Sequence, residues 1–283
     1  DGIEVPQRAR WIRTLVLELA RLGVNLMAFG GQGGTTGLGT AAMWGITMRD
    51  FVLDLFEELT GARIYHMYII PGGVRRDLPQ DFREKVNGVL EKIEKRLPEL
   101  DRLVLNNKVF KDRTVGVGVV QPEWINELGL VGPVARGSGS SRDVRVDSPY
   151  EVYGKLDFQP VTEKGCDIYA RALVRRREID LSIRLIRQVL DGMPEGPVAA
   201  SLPNLTEWTV PPGEIYTRVE SARGEYGYYV VSDGGKKPRR IHVRGPSYIH
   251  AVTLLERMLV GANIADVSNI MVSLTTCPPE IER

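Results

Sequence analysis

Apolar residues recur at spacings of three and four over residues 6–29, where Trp11, Leu15, Leu19, Leu22 and Leu26 form one stripe. That period predicts a helix with one buried face. Pro6 stands in the first turn, where its missing N–H costs nothing. Arg10, Arg13, Glu18 and Arg21 fall off the stripe and read as its wetter positions. Residues 47–59 repeat the pattern, with Phe51, Leu55, Phe56 and Leu59 inward, Thr47 as cap, Asp50 in the first turn and Gly61 as the stop. Residues 78–100 read as an amphipathic helix with a solvated Lys/Glu face, continuing over 100–111. Residues 166–191 give a long basic helix. Tyr169, Leu173, Ile179, Ile183, Ile186 and Leu190 mark its apolar side, and Arg171, Arg175, Arg176 and Arg177 a solvated charged face.

Between these helices the punctuation is glycine and proline. Residues 30–39 hold six glycines in ten positions. A helix precedes them rather than a strand, and no P-loop Lys follows, so the segment reads as close packing or a helix bend rather than a phosphate cradle. Residues 64–70 are extended or a further helical entry, and Pro71-Gly72-Gly73 is a turn. Pro122-Glu123-Trp124 resembles a helix start, and residues 132–141 form a Gly/Ser loop around Arg136. Residues 148–158 carry turns and aromatics. From Pro197 the pattern shifts to strands, over 213–220 and 225–233, with a hairpin-type turn at Asp233-Gly234-Gly235 and a return strand over 238–243. Residues 247–259 are helical again, closed by Gly261. The fold class is α+β and mainly helical: a helical-bundle core carrying a small antiparallel sheet late in one domain spanning residues 1–283.

Composition changes this picture little. Lys plus Arg number 37 and Asp plus Glu 36, a balance that gives no reason to expect nucleic acid as a partner. Two cysteines in 283 residues are no disulfide framework. No signal peptide and no bilayer-spanning apolar run is visible. The chain opens on Asp1 rather than Met, which suggests a processed or truncated product.

The candidate chemistry lies in the last eleven residues. The apolar run 264–274 leads out to Cys277-Pro278-Pro279-Glu280, where two prolines forbid a continued helix. A thiol and a carboxylate three apart could face one spot. Cys166, at a helix start, reads as structural.

A series of motifs resembles one family in order along nearly the whole chain. They are residues 51–63 (Phe51 to Arg63), Pro71-Gly72-Gly73-Val74, Asp77-Leu78-Pro79, Gly132-Pro133 with Arg136-Gly137-Ser138-Gly139, and Ser148-Pro149-Tyr150 with Leu156-Asp157-Phe158. Asp167-Ile168-Tyr169-Ala170-Arg171, Arg223-Gly224-Glu225-Tyr226-Gly227-Tyr228-Tyr229, Val231-Ser232-Asp233-Gly234 and Pro246-Ser247-Tyr248 follow. They resemble the large catalytic-type subunit shared by membrane-bound nickel–iron hydrogenases and respiratory complex I (there the 49 kDa type). By that resemblance the family's N-terminal part, with a Cys pair or a quinone-binding His and Tyr, is missing here.

The resemblance implies a peripheral subunit at the cytoplasmic face of the membrane, held there by membrane subunits. It implies partners too: a small iron–sulfur subunit and subunits of the C and H types of complex I, with the 4Fe-4S cluster in the small subunit and no cofactor or metal held by this chain. The branch turns on the tip. Cys277 matches the first of two hydrogenase thiolates, Glu280 replaces the second, and Thr275-Thr276 replace Asp-Pro; Glu280 and Arg283 look instead like complex I. Gln32, Thr35, Ile70 and Tyr65-His66 also depart from complex I relatives. The intermediate pattern is similar to that of archaeal hydrogenase-derived membrane complexes that reduce sulfane sulfur and pump ions. The resemblance thus implies polysulfide as substrate, with Cys277 as nucleophile, Glu280 as proton donor, Arg223 holding the anionic chain and His66 beside the neighbouring subunit's cluster. The alternatives are quinone reduction in an NADH- or ferredoxin-linked complex, a nickel–iron hydrogenase, and a non-catalytic scaffold.

Overall fold

A computed structural model describes residues 3–202, 204 and 207–282. Asp1 and Arg283, on which two of the expectations above rest, lie outside the described residues. Helix α1 (Gln7–Thr35) and helix α2 (Gly39–Thr60) form an antiparallel pair. A two-residue hairpin follows, β1 (Ile69–Ile70) and β2 (Gly73–Val74), turning at Pro71-Gly72. Then come α3 (Phe82–Leu103), α4 (Lys108–Asp112), α5 (Pro122–Glu127), α6 (Gly132–Arg136) and α7 (Val144–Asp147). Helix α8 (Ile168–Gly192) is capped by the Asp167 side chain, which accepts from Ala170 N–H at 2.8 Å.

The antiparallel sheet is β3 (Gly213–Ser221), β4 (Gly224–Ser232) and β5 (Arg240–Arg244), in that order. The chain then enters α9 (Pro246–Tyr248), a π-helical turn (Ile249–Leu254) and α10 (Leu255–Leu259). It ends through α11 (Val267–Leu274) and α12 (Pro278–Ile281). The mainly helical core with a late antiparallel sheet is as the sequence implied.

The expected stripe of α1 is buried from Trp11 to Leu26 and packs on Val52, Phe56, Ile179 and Ile186 of α2 and α8. A smaller core gathers Ile125, Val134, Ile168, Leu254, Ile270 and Leu274 under the C-terminal helices.

The boundaries differ where glycine was read as punctuation. Helix α1 runs on through Gly30, Gly31, Gly33 and Gly34, and α2 begins at Gly39 rather than Thr47. Thr47 therefore sits inside α2, its hydroxyl donating to Met43 O at 2.9 Å instead of capping. The glycines serve close packing. A Cβ on Gly30 would lie 2.6 Å from Ala41 O, and one on Gly45 would lie 2.7 Å from Leu26 O. The two backbones touch, which offsets the roughly 1 kcal/mol that each helical glycine costs against Ala. Helix α3 stops at Leu103, and the chain turns before Asn107 caps α4 by accepting from Val109 N–H; the continuous helix expected over 100–111 is absent.

The larger corrections concern charge. Glu18 and Arg21 were expected to be wet and are buried, as are Arg171 and Arg175 of α8. Arg136, expected in a loop, lies in the short helix α6 and is 0% exposed. Of the expected arginine face, Arg176 pairs with Asp101 and Asp180, and Arg177 is the exposed member, pairing with Glu163.

These buried groups form one network. Arg136 donates to Glu178 Oε1 at 2.5 Å and to Glu220 Oε1 at 2.7 Å. Arg145 donates to Asp143 at 2.7 Å and to Glu18 Oε1 at 3.1 Å. Glu18 also accepts from the Tyr153 and Ser182 hydroxyls, each at 2.7 Å. Burial alone would raise the Glu18 pKa; Arg145, Arg21 and the two hydroxyls outweigh it and hold the carboxyl below its usual range. Asp143 behaves likewise, burial being outweighed by Arg145 and Arg136. At Glu220 burial prevails over Arg136 and pushes the carboxyl up. The network joins α1, α6, α7, α8 and β3, and so fixes the sheet to the helices.

Two outcomes follow, both checked by thermal unfolding of the purified complex. Gly45→Ala drives a methyl into the α1 backbone and destabilises by about 1–3 kcal/mol, whereas Gly31→Ala, with nothing within 4 Å of the added Cβ, is neutral or stabilising by up to about 1 kcal/mol. Arg136→Met strands Glu178 and Glu220 and costs about 3–5 kcal/mol; adding Glu178→Met costs less than the sum of the two single changes.

Candidate active site at the C-terminal tip

Helix α11 ends at Leu274, and Thr275 takes a left-handed backbone (φ 52°) that turns the chain back toward the protein. The two prolines do not keep the tip extended. Pro278 and Pro279 fill the first positions of α12, where no N–H is needed.

Three contacts hold the tip. Arg223 Nε donates to Thr275 O at 2.9 Å, Cys277 N–H donates to Ser247 Oγ at 3.1 Å, and Ser247 N–H donates to Glu280 Oε1 at 2.8 Å. Gly245 permits the last of these, since a Cβ there would lie 2.6 Å from Glu280 Oε1. Glu280 is buried by this contact, and Cys277 is half-buried with a free thiol.

Arg223 occupies the two-residue turn between β3 and β4, which docks against α6. A Cβ on Gly132 would lie 2.2 Å from Arg223 O, and one on Gly224 would lie 2.8 Å from Gly132 N. Both glycines have positive φ, so the approach uses both of glycine's freedoms. The structure thus places Cys277 and Glu280 on one folded-back segment that Arg223 holds through Thr275.

His66 stands apart. Its ring stacks on Phe56 with centroids 3.9 Å apart, and Nδ1 lies 3.2 Å from Ala62 O. Burial holds the imidazole below the usual histidine range, so the ring is neutral at neutral pH and Nδ1–H donates to the carbonyl. Cys166 is a backbone knot. Its N–H donates to Gly137 O and its carbonyl accepts from Val120 N–H, both at 2.9 Å.

Behind the tip lies a group that sequence reasoning missed. Arg171 donates to Ser273 Oγ at 2.9 Å and to the carbonyls of Gly118 and Cys166. Arg175 Nη1 reaches Asn25 Oδ1 at 3.3 Å and Ala222 O at 3.4 Å. Every one of these acceptors is neutral, as is that of Arg223. Among the described residues no carboxylate forms an ion pair with Arg171, Arg175 or Arg223, although 25 other pairs are formed.

His250, in the π-helical turn three residues past Ser247, is 1% exposed and neither ring nitrogen has a partner; Arg175 Nε and Nη2 also lack one. Burial lowers Arg175 to about 9, Arg223, Arg136 and Arg171 adding to the effect and Glu178 opposing it. Burial likewise brings Arg171 to about 10. Both remain charged at neutral pH. Burial and then Arg175, Arg244 and Arg171 hold His250 at about 3, so it is neutral. The tip therefore borders a buried cluster of guanidiniums with which, among the described residues, no carboxylate pairs directly, Glu178 acting on Arg175 without a bond to it.

One signal could have found this group. Arg171, Arg175, Glu178 and Ser182 recur at spacings of four and three, a polar stripe with the period of a helix face. The donor set for a metal is different. Two cysteines do not supply the thiolates of an iron–sulfur cluster, and among the described residues no three His, Cys, Asp or Glu side chains gather as metal ligands.

The chain matches the family model of the respiratory-chain NADH dehydrogenase 49 Kd subunit over residues 35–209 and 204–283. It is 43% identical to an NADH-quinone oxidoreductase subunit of Thermosipho melanesiensis over 283 residues, covering 99% of this chain and 77% of that one. It is 39% identical to an F(420)H(2) dehydrogenase subunit of Methanosarcina mazei over 288 aligned positions, covering 99% and 76%. Among solved structures, a chain of the membrane-bound sulfane sulfur reductase (MBS), an archaeal respiratory membrane complex, superimposes with a TM-score of 0.95 at 45% identity, covering 100% of this chain and 77% of that one. The chain belongs to the family of the respiratory-chain NADH dehydrogenase 49 Kd subunit, and it is an oxidoreductase subunit of a membrane-bound redox complex.

Proposed function

We propose that this subunit reduces sulfane sulfur at the Cys277 tip of a membrane-bound, ion-translocating complex. The observation that supports this is the cluster of Arg171, Arg175 and Arg223, hydrogen-bonded only to neutral acceptors, behind the tip that carries a free thiol. A polysulfide is a dianion and gains from such a pocket; a quinone is neutral and gains nothing from it. The 45% identity with a sulfane sulfur reductase chain supports the same choice.

An iron–sulfur cluster in an adjoining small subunit supplies the electrons, and His66, in the loop after α2, tunes it. The Cys277 thiolate attacks a terminal sulfur of the polysulfide. The Cys277 S–S bond forms, the neighbouring S–S bond breaks, and the shortened polysulfide leaves with the bonding pair. Two electrons and one proton then cleave the persulfide, returning the thiolate and releasing hydrosulfide. Arg223 steadies the tip through Thr275 and holds the anionic chain. Glu280 anchors the tip through Ser247 and delivers the proton.

No helix among the described residues is long and apolar enough to cross a membrane. In this reading the subunit is held at the cytoplasmic face through its partners, the small subunit and those of the C and H types.

Replacing Cys277 with Ser tests the covalent step. The tip's anchor uses the Cys277 backbone N–H, so assembly and cluster reduction remain intact. Polysulfide reduction falls by roughly a thousandfold or more, because a hydroxyl is a far weaker nucleophile near neutral pH. Glu280→Gln keeps an acceptor for Ser247 N–H and loses only proton delivery, a fall on the order of a hundredfold. Normal turnover by Cys277→Ser would remove the persulfide step.

A further inference from the structure

The buried pocket holds more than a charge. Arg175 spends Nη1 on Asn25 and Ala222, and its free groups are Nε and Nη2. Those two share one edge of the guanidinium, the planar fork that grips an anion with two parallel hydrogen bonds. Arg175 is 3% exposed, and His250, within its electrostatic reach, is 1% exposed. His250 is carried on a π-helical turn, a distortion that occurs frequently at functional sites.

A buried water could satisfy the four unpartnered nitrogens but would add no negative charge beside Arg175, whose one carboxylate neighbour, Glu178, is already bonded to Arg136 and Asn25. The charged groups facing Arg175 are Glu178, Arg223, Arg136 and Arg171, and those facing His250 are Arg175, Arg244 and Arg171. Three of the four around Arg175 and all three around His250 are cations. Burial first, and these cations after it, keep a proton off His250.

Resting on the anionic-acceptor reading above, we infer that the Arg175 fork and His250 take a small monoanion together with one proton, the anion docking on Arg175 Nε and Nη2 and the proton going to His250. The anion screens the imidazole from the three guanidiniums, and the imidazolium becomes a further donor to it. The step is neutral overall, one negative and one positive charge entering together. A hydrosulfide-sized ion is the chemical class that suits it. Anion and proton thereby become linked ligands, each raising the affinity for the other.

Azide is the probe, a small monoanion whose infrared stretch reports hydrogen bonding, and turnover is not needed to read it. The purified complex, titrated between about pH 6 and pH 8, shows a saturable bound-azide band. Its affinity rises about tenfold for each unit of falling pH, because the liganded state holds one more proton than the empty one. Arg175→Met removes the band. His250→Asn keeps it but makes the affinity independent of pH. Arg175→Lys, which keeps the charge and loses the fork, weakens binding about tenfold or more and serves where the Met variant does not assemble. A band lost in Arg175→Met but flat with pH in the unaltered complex overturns the proton linkage and leaves the anion pocket standing. A band indifferent to both Arg175 changes, or no band, overturns the pocket and the linkage together.

Discussion

Everything in this molecule is arranged around charges that have no access to water. Glu18, Asp143, Glu178 and Glu220 meet Arg21, Arg136 and Arg145 inside the protein. An isolated buried charge costs several kcal/mol or more, so each of these groups must find its partner in one geometry. That requirement aligns α1 with α8 and pins β3 to both. The apolar stripes bring the helices together, but stripes tolerate sliding. A guanidinium shared between two carboxylates does not.

The same constraint, left incomplete, makes the site. The network's carboxylates are bonded to Arg21, Arg136 and Arg145, and Arg171, Arg175 and Arg223 stand at its edge with neutral hydrogen-bond acceptors only. Hydrogen bonds to carbonyls satisfy the N–H groups without cancelling the charge. Arg171 and Arg223 bond the segment that folds back on this edge, at Ser273 and Thr275. The ion-pair network and the guanidinium cluster come from successive turns along one face of α8, at Glu178 and Ser182 and at Arg171 and Arg175.

Glycine sets the remaining geometry by allowing backbones to touch. Gly30 and Gly45 bring α1 and α2 into direct contact, Gly132 and Gly224 seat the turn that carries Arg223, and Gly245 makes room for Glu280. In each case a methyl group would enter a carbonyl, an amide or a carboxylate. These positions hold the site to within a fraction of an ångström without contributing a functional group to it.

The apolar period at Leu15, Leu19, Leu22 and Leu26 was enough to place α1, and the alternation and turn residues around Asp233 were enough to place the sheet. The ordered motifs identified the family, and the tip was legible as a candidate site, Arg223 from one of those motifs and Cys277 and Glu280 from the C-terminal run. Whether a polar stripe is wet or buried was not legible. Arg171 and Arg175 have the same spacing in either case, since a helix face has one period whatever it touches. Their fate depends on partners distant in sequence: Glu18 and Arg145 are 127 residues apart, Arg136 and Glu220 84, Arg171 and Ser273 102. The sequence by itself determined the long amphipathic helices and the late sheet, because those follow from local period and sterics. Only the tertiary structure decided which charges are neutralised and which are left facing the tip, because a charge's environment is made by residues that the chain brings to it from elsewhere.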